Sequence, residues 1–374
     1  MILRKDGRRA LLVLGMHRSG TSALARALVL AGASPPSGLM LATEDNRSGY
    51  WESTAITQFN NRLLAKAGLW WSDHGSIPLT WFHEVEREED RREATMLLEQ
   101  EFGNSDCFVL MDPRMCRLLP FWLEVLAELG IQPHIITISR DPLEVARSLA
   151  ARAKFPAYRA AAIEDIEVGL LLWLRYVLDG ERHSRNMPRT HVSYSDLLGN
   201  WRASLGCVFS QSLLPFPSPE KSAAIDAFID PTLRRQLSAA DCPHSAVPAT
   251  LPFLRQIGAA LASADTRARS ELFDLVSNLL NEAVSLYDDS KFPMASLFPS
   301  RLKAQISLAR IAGLSGEYRS QGDHHRVALF LSGAASSVGH VYRVEHQVAA
   351  LAEHGWQAYW LLLCCIFFIS GTAI

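Results

Sequence analysis

The 374-residue sequence contains no apolar run that reaches the ~20 residues a helix needs to cross a bilayer. Near the C-terminus, YWLLLCCIFFI at residues 359–369 falls well short of that length and reads as a strand rather than an anchor. A cleavable leader is not expected either. The segment MILRKDGRRALLVLGM is basic and then apolar, but it has no small-residue cleavage site and runs straight into a glycine-containing turn. It reads as a basic leader followed by a buried first strand. The six cysteines, Cys107, Cys116, Cys207, Cys242, Cys364 and Cys365, lack paired metal-ligand spacing and the density of a secreted disulfide scaffold. Reduced thiols in a cytoplasmic chain are the expectation. No two histidines take H-x-x-x-H spacing on a helix, and no metal site is expected.

An excess of one charge is also absent. Thirty-seven Lys and Arg stand against 39 Asp and Glu, a formal charge of -2, so nothing pulls the whole chain toward nucleic acid or an anionic membrane. Any anion site must be local. Hydrophobic residues at 48% and charged residues at 20% exclude a mostly disordered chain. The length fits about two domains, or one full domain and a fragment.

Residues 10–15 form an apolar run that leads through a short loop into TSALARALVLAG, where Leu24, Leu28 and Ala31 share a helical face and Gly32 ends the helix. CFVLM at 107–111, HIITIS at 134–139 and THVSY at 190–194 read as further strands, with helical patterns around and between them. This alternation predicts an α/β fold, a mostly parallel sheet flanked by helices on both faces. The helix IEDIEVGLLLWLRYVLDGER carries Ile163, Ile166, Leu170, Leu174, Val177 and Leu178 as an apolar stripe. From about 205 to 300 the chain reads as mainly helical, broken by the proline- and serine-rich LLPFPSPEKS and CPHSAVPATLPF.

A strand, a loop of small residues and a helix N-terminus together turn several backbone N–H groups and a helix dipole toward one point, which suits phosphate or sulfate. GMHRSGTS has that context, although a tight connection would look the same. A Walker A loop, G-x-x-x-x-G-K-[ST], uses its lysine on the β and γ phosphates and its hydroxyl on magnesium. Here Gly15 and Gly20 have the Walker spacing, yet Thr21 stands at the lysine position and the cation, Arg18, lies inside the loop. That arrangement resembles the sulfotransferases that use 3'-phosphoadenosine 5'-phosphosulfate (PAPS), whose loop reads roughly [KR]-x-G-T. The matching residues are Arg18, Ser19, Gly20, Thr21 and Ser22.

A second match lies in ISRDPLEVARSL. Arg140 ends a strand, Asp141 can cap, Pro142 suits the first helical position, and Ser148 follows eight positions after Arg140. An arginine can grip a phosphate with two donors and a serine adds a hydroxyl. The resemblance implies that this pair holds the 3'-phosphate; taken singly, Arg140 could be a surface ion pair and Ser148 an ordinary helix residue. A third segment, LATEDNRSGYWES, resembles the bacterial N-x-x-G-aromatic-aromatic-E pattern through Asn46, Gly49, Tyr50, Trp51 and Glu52. Sulfuryl transfer to a hydroxyl needs a base at the acceptor oxygen and a cation at the departing phosphate oxygen. Glu52 is the candidate base and Arg18 the candidate cation, while a helix cap is the equally weighted alternative for Glu52. In MDPRMCRLLPFW the family's lysine is replaced by Met111, leaving Asp112 and Arg114 as a substrate-orienting or a purely structural pair. Tyr194 resembles a family tyrosine near the nucleotide, with a core aromatic as the alternative.

The expected division is a sulfotransferase-like P-loop domain over 1–295, a linker over 296–324 and a segment over 325–374. That last segment resembles the opening β-α-β of a GT-B glycosyltransferase, a partial Rossmann-like unit with no activity expected of it. It suggests a fragment of a longer protein or an interrupted reading frame. The function implied is transfer of a sulfuryl group from PAPS to a hydroxyl of a carbohydrate or other small acceptor, without metal, nucleic acid or membrane span. A P-loop kinase or NTPase, and a non-catalytic nucleotide-binding module, are the alternatives.

Overall fold

The computed structural model describes residues 7–43, 46, 49–152, 155, 163–212, 214–229, 250–285, 304, 307, 308 and 311, together with the backbone of 326–332 and 356–362. In the first part the element order is β1 (Arg9–Leu14), α1 (Thr21–Ala31), α2 (Thr54–Lys66), α3 (Leu79–Phe82), α4 (Arg87–Phe102), β2 (Cys107–Met111) and α5 (Met115–Glu128). Then come β3 (Gln132–Ser139), α6 (Pro142–Arg152), α7 (Ile166–Ser184), β4 (Arg189–Ser193), α8 (Tyr194–Gly199), α9 (Trp201–Ser212), α10 (Pro219–Phe228), α11 (Leu251–Ala260) and α12 (Thr266–Ser285).

The four strands form one sheet in the order β2-β1-β3-β4, with every neighbour parallel. Five of the six β1 residues are buried, as a strand covered on both faces requires. Leu11, Val13, Val109, Met111, Ile136, Ile138 and Val192 share a cluster with residues of α1, α8, α9 and α10, so these helices cover one face. Within α1, Leu24, Leu28 and Ala31 are all buried, as their spacing predicts, and each leucine contributes ~1.5–3 kcal/mol. Gly32 ends the helix at φ 127, a conformation that favours glycine.

Helix α7 differs from its apolar stripe. Leu171, Leu172, Arg175 and Tyr176 are buried alongside Leu170, Leu174 and Leu178, while Ile166 and Val177 are only half-buried. The reason is that α5, α6 and α12 all pack on α7. The buried Arg175 pairs with Asp179 at 2.8 Å and donates to Asn281 at 2.7 Å. Among the described residues, no helix is long and apolar enough to cross a membrane.

The chain divides into two compact units, Met1–Ala309 and Arg310–Ile374. In the second, β5 (Arg326–Ser332) and β6 (Trp356–Leu362) pair in parallel, Arg326 opposite Trp356. The loop and helix expected between them lie outside the described residues, as does the segment 286–303; of the loop expected over CPHSAVPATLPF, residues 242–249 lie outside them too, while Leu251, Pro252 and Phe253 are not loop but the first turn of α11, where proline is tolerated.

Candidate active site

Because every strand runs the same way, the loops after β1, β2, β3 and β4 all emerge at the carboxyl edge of the sheet, where ligands of open α/β sheets bind. The loop after β1 is tightly built. Ser19 N–H donates to the Met16 carbonyl at 3.0 Å, and Gly20 stands at the N-cap of α1 with φ 96. A Cβ on Gly20 would run into the Tyr194 ring, and one on Gly15 would lie 2.8 Å from the Ile138 carbonyl. Glycine is therefore required at both for close packing, and at Gly20 for its dihedral as well. Arg18 itself adopts φ 70, a left-handed conformation that a residue with a Cβ enters at a cost of about 1 kcal/mol or more. The first N–H groups of α1 lack intrahelical acceptors and face this loop end.

The two segments expected to hold phosphate meet. Arg18 Nε donates to Ser148 Oγ at 2.9 Å, and Arg140 Nη1 donates to the Arg18 carbonyl at 3.2 Å. Arg140 is oriented from two further sides, by Glu144 at 2.8 Å and by the face of Tyr194, 4.8 Å from the ring centre. Asp141 caps α6, its Oδ1 accepting from Leu143 and Glu144 N–H groups. Tyr194 is buried in the core cluster, as a core aromatic is, and also lines the cleft.

Glu52 reaches the same cleft from a different element. Helix α4 holds the segment before it: buried Glu101 accepts from Gly38 N–H at 2.8 Å, and Met40 N–H donates to the Glu52 carbonyl at 2.8 Å. The Asn46 side chain closes the turn on the Gly49 carbonyl at 2.8 Å, with Gly49 at φ 81. Ser53, and not Glu52, caps α2, accepting from Ile56 N–H at 3.1 Å. Glu52 is left with a buried carboxyl that takes Thr57 Oγ1 at 3.4 Å. Burial, and then the charge of Asp112, push its pKa up to about 8, against the pull of Arg114 and Arg152.

Asp112 and Arg114 pair at 2.9 Å, and Arg114 also lines the cleft. Asp112 accepts from Asn60, which in turn accepts from the Trp122 indole. Met111 turns into the core cluster and does not line the cleft.

The cleft measures about 410 Å³ and gathers all the expected site residues except Ser19, which is buried beneath the loop. It also contains residues that the sequence motifs do not single out. Arg152 ends α6 and donates to the Tyr50 hydroxyl at 3.4 Å. No motif includes Arg152; only the fold brings it here, because the last turn of α6 reaches Tyr50. Phe228 ends α10, and Arg26 lies over its ring at 4.1 Å and over that of Trp51 at 5.4 Å. His17 sits in the wall, its ring edge-on to Trp71 and Tyr176.

A model of the sulfotransferase family matches residues 10–217. No curated protein matches the chain. Among solved structures, a sulfotransferase domain from the curacin biosynthetic pathway is 15% identical, with 58% of this chain and 77% of that chain covered at a TM-score of 0.36. A sulfotransferase domain from the Synechococcus PCC 7002 olefin synthase is also 15% identical, with 70% and 97% covered at a TM-score of 0.39.

Proposed function

Because the chain belongs to the sulfotransferase family, we propose that it moves a sulfuryl group from PAPS to a hydroxyl of a carbohydrate or other small acceptor. The observation that carries this reading is the junction of Arg18, Ser148 and Arg140, two separate anion-gripping motifs joined by hydrogen bonds of 2.9 and 3.2 Å. A donor with phosphates at both its 5' and 3' ends needs two such groups on one surface. The carbohydrate acceptor rests on the resemblance of residues 325–374 to a glycosyltransferase opening.

In this reading the first-turn N–H groups of Thr21 and Ser22 and the side chain of Arg18 hold the 5'-phosphosulfate. Arg140 and Ser148 hold the 3'-phosphate, and Tyr194 packs beside the nucleotide. The ionised Glu52 takes the proton from the acceptor hydroxyl as its oxygen attacks sulfur. The bond from sulfur to the 5'-phosphate oxygen breaks, and the electron pair leaves on 3'-phosphoadenosine 5'-phosphate (PAP). Arg18 stabilises the charge that grows on that oxygen. A carboxylate whose pKa stands near 8 is a stronger base than an ordinary one, and Arg114 and Arg152 favour its ionised form.

A heat-stability screen followed by a transfer assay tests the reading. PAP at 100 times its dissociation constant is expected to stabilise the protein by about 2.7 kcal/mol. ATP with magnesium should fall well behind, and PAPS should sulfate a member of a hydroxyl panel. Magnesium-dependent ATP turnover without PAP binding would replace the reading with a kinase or NTPase. PAP binding with no transfer to any acceptor would replace it with a non-catalytic module.

A further inference from the structure

Four arginines, Arg18, Arg114, Arg140 and Arg152, line the cleft, and among the described residues of its wall they face one carboxylate, Glu52. Arg114 and Arg140 each carry a carboxylate of their own, Asp112 at 2.9 Å and Glu144 at 2.8 Å. Arg18 belongs to the donor in the proposed reading. Arg152 holds no part of the donor there, and its place in the fold points elsewhere. Helix α6 starts beside the nucleotide anchor Arg140 and runs away from it. Ser148 and Arg152 lie one turn apart on one face, so Arg152 stands about 6 Å further along the axis than the last donor ligand.

At that point Arg152 Nη2 donates to the Tyr50 hydroxyl at 3.4 Å, and the guanidinium lies 5.8 Å from the centre of the Tyr50 ring. Tyr50 is two residues from Glu52, which keeps their Cα atoms within about 7 Å of each other, and both line the cleft. Arg152 and Glu52 therefore share the end of the cleft away from Arg140. The pull of Arg152 on the Glu52 carboxyl agrees with this placement. We infer that the acceptor carries an oxyanion, a carboxylate or a phosphate ester, close to the hydroxyl that is sulfated, and that Arg152 is the specificity-determining residue that binds it. A guanidinium presents a planar pair of donors matched to such a group. Arg152 is half-buried, so a charge held against it is screened less than on open surface. The oxyanion is a bystander in the chemistry. The hydroxyl oxygen forms the bond to sulfur, its proton goes to Glu52, and the 5'-phosphate oxygen leaves with PAP. What Arg152 sets is which hydroxyl is presented to Glu52.

The inference rests on the PAPS reading, and the two fail differently. Acceptors that differ chiefly in one anionic group are compared at saturating PAPS: methyl glucuronide against methyl glucoside, glucose 6-phosphate against glucose, and 3-hydroxybutyrate against its methyl ester. Two pairs test a carboxylate and one a phosphate, so the set also says which oxyanion is taken. The wild type is expected to favour the charged member of at least one pair by about tenfold or more in kcat/KM, chiefly through KM. Arg152→Gln should erase that preference, and Arg152→Lys, which keeps the charge without the planar fork, should recover part of it. A general disturbance of the cleft or of Glu52 would instead slow both members of a pair alike. PAP affinity by calorimetry should stay within about twofold in both variants, which shows that they are folded with the donor site intact. Equal rates within every pair, a preference for the neutral members, or a preference that survives in Arg152→Gln would overturn the role of Arg152 and leave the PAPS reading in place. So would a PAP affinity that falls in Arg152→Gln as far as the preference does, since Arg152 would then be a donor ligand. A wild type that binds no PAP, or that binds it and sulfates none of these acceptors, would overturn the transferase reading and the inference with it.

Discussion

Arg18 and Ser148 stand 130 residues apart in the chain, and in the fold the guanidinium of one donates to the hydroxyl of the other at 2.9 Å. The contact joins the loop after β1 to helix α6, the element that follows β3. It exists because β1 and β3 are adjacent and parallel, so that both of their following segments start at the same edge of the sheet. In the proposed donor site this single hydrogen bond couples the 5' and 3' phosphate groups.

Ser148→Ala removes the acceptor for Arg18 together with one phosphate ligand. PAP affinity is expected to fall about fivefold to tenfold, the range for one or two modest hydrogen bonds. Stability should change by no more than about 1 kcal/mol, because the freed arginine donor lies at the cleft and can reach water. Isothermal calorimetry and thermal unfolding measure the two quantities, and a PAP affinity changed by less than about twofold contradicts the shared site.

Glu52 supplies a pH signature. As the base it must be ionised, so turnover should climb as pH rises through about 8. Glu52→Gln should lower kcat by about 10²–10⁴-fold and leave a profile without that limb. Stability runs the other way. The folded carboxyl keeps its proton up to about 8, whereas the unfolded one loses it near 4.5. The folded state therefore binds more protons between those values, and wild-type stability should fall relative to Glu52→Gln as pH rises across that window. Paired unfolding curves at several pH values read this directly, and parallel curves would mean that Glu52 is solvated in the folded state.

Much of this site can be read in the sequence, for local reasons. The loop of Gly15 to Ser22 is dictated by backbone demands at Gly15 and Gly20, and Arg140 and Ser148 lie on one strand-helix unit whose cap, Asp141, is adjacent. Helix α4 is missing from the sequence reading because its exposed faces are rich in charge. Of its residues, Ala94, Leu98 and Phe102 form a narrow apolar stripe, and buried Arg87 and Asp90 pair at 3.0 Å. Yet α4 supplies Glu101, which holds the segment leading to Glu52.

The wall behind His17 is illegible in the sequence, since its parts come from distant segments. Fully buried Arg117 donates to the carbonyls of Trp70, at 3.3 Å, and Asp73, at 3.0 Å, and to that of Gly75, which shapes the loop that carries Trp71. No periodicity or spacing announces a charged residue whose partners are backbone carbonyls more than 40 residues away. The stripe on α7 misleads for a related reason: it shows the apolar face, but not that Asp179 and Asn281 allow Arg175 on another face to be buried too.

If the cleft recognises a nucleotide by its 3'-phosphate through Arg140, the difference must show when PAP is compared with adenosine 5'-phosphate in the wild type and in Arg140→Ala. The wild type should bind PAP at least about tenfold more tightly, and the variant should lose this preference while retaining its affinity for adenosine 5'-phosphate. Unchanged PAP affinity in Arg140→Ala, or a wild type that does not distinguish the two nucleotides, would contradict the 3'-phosphate site.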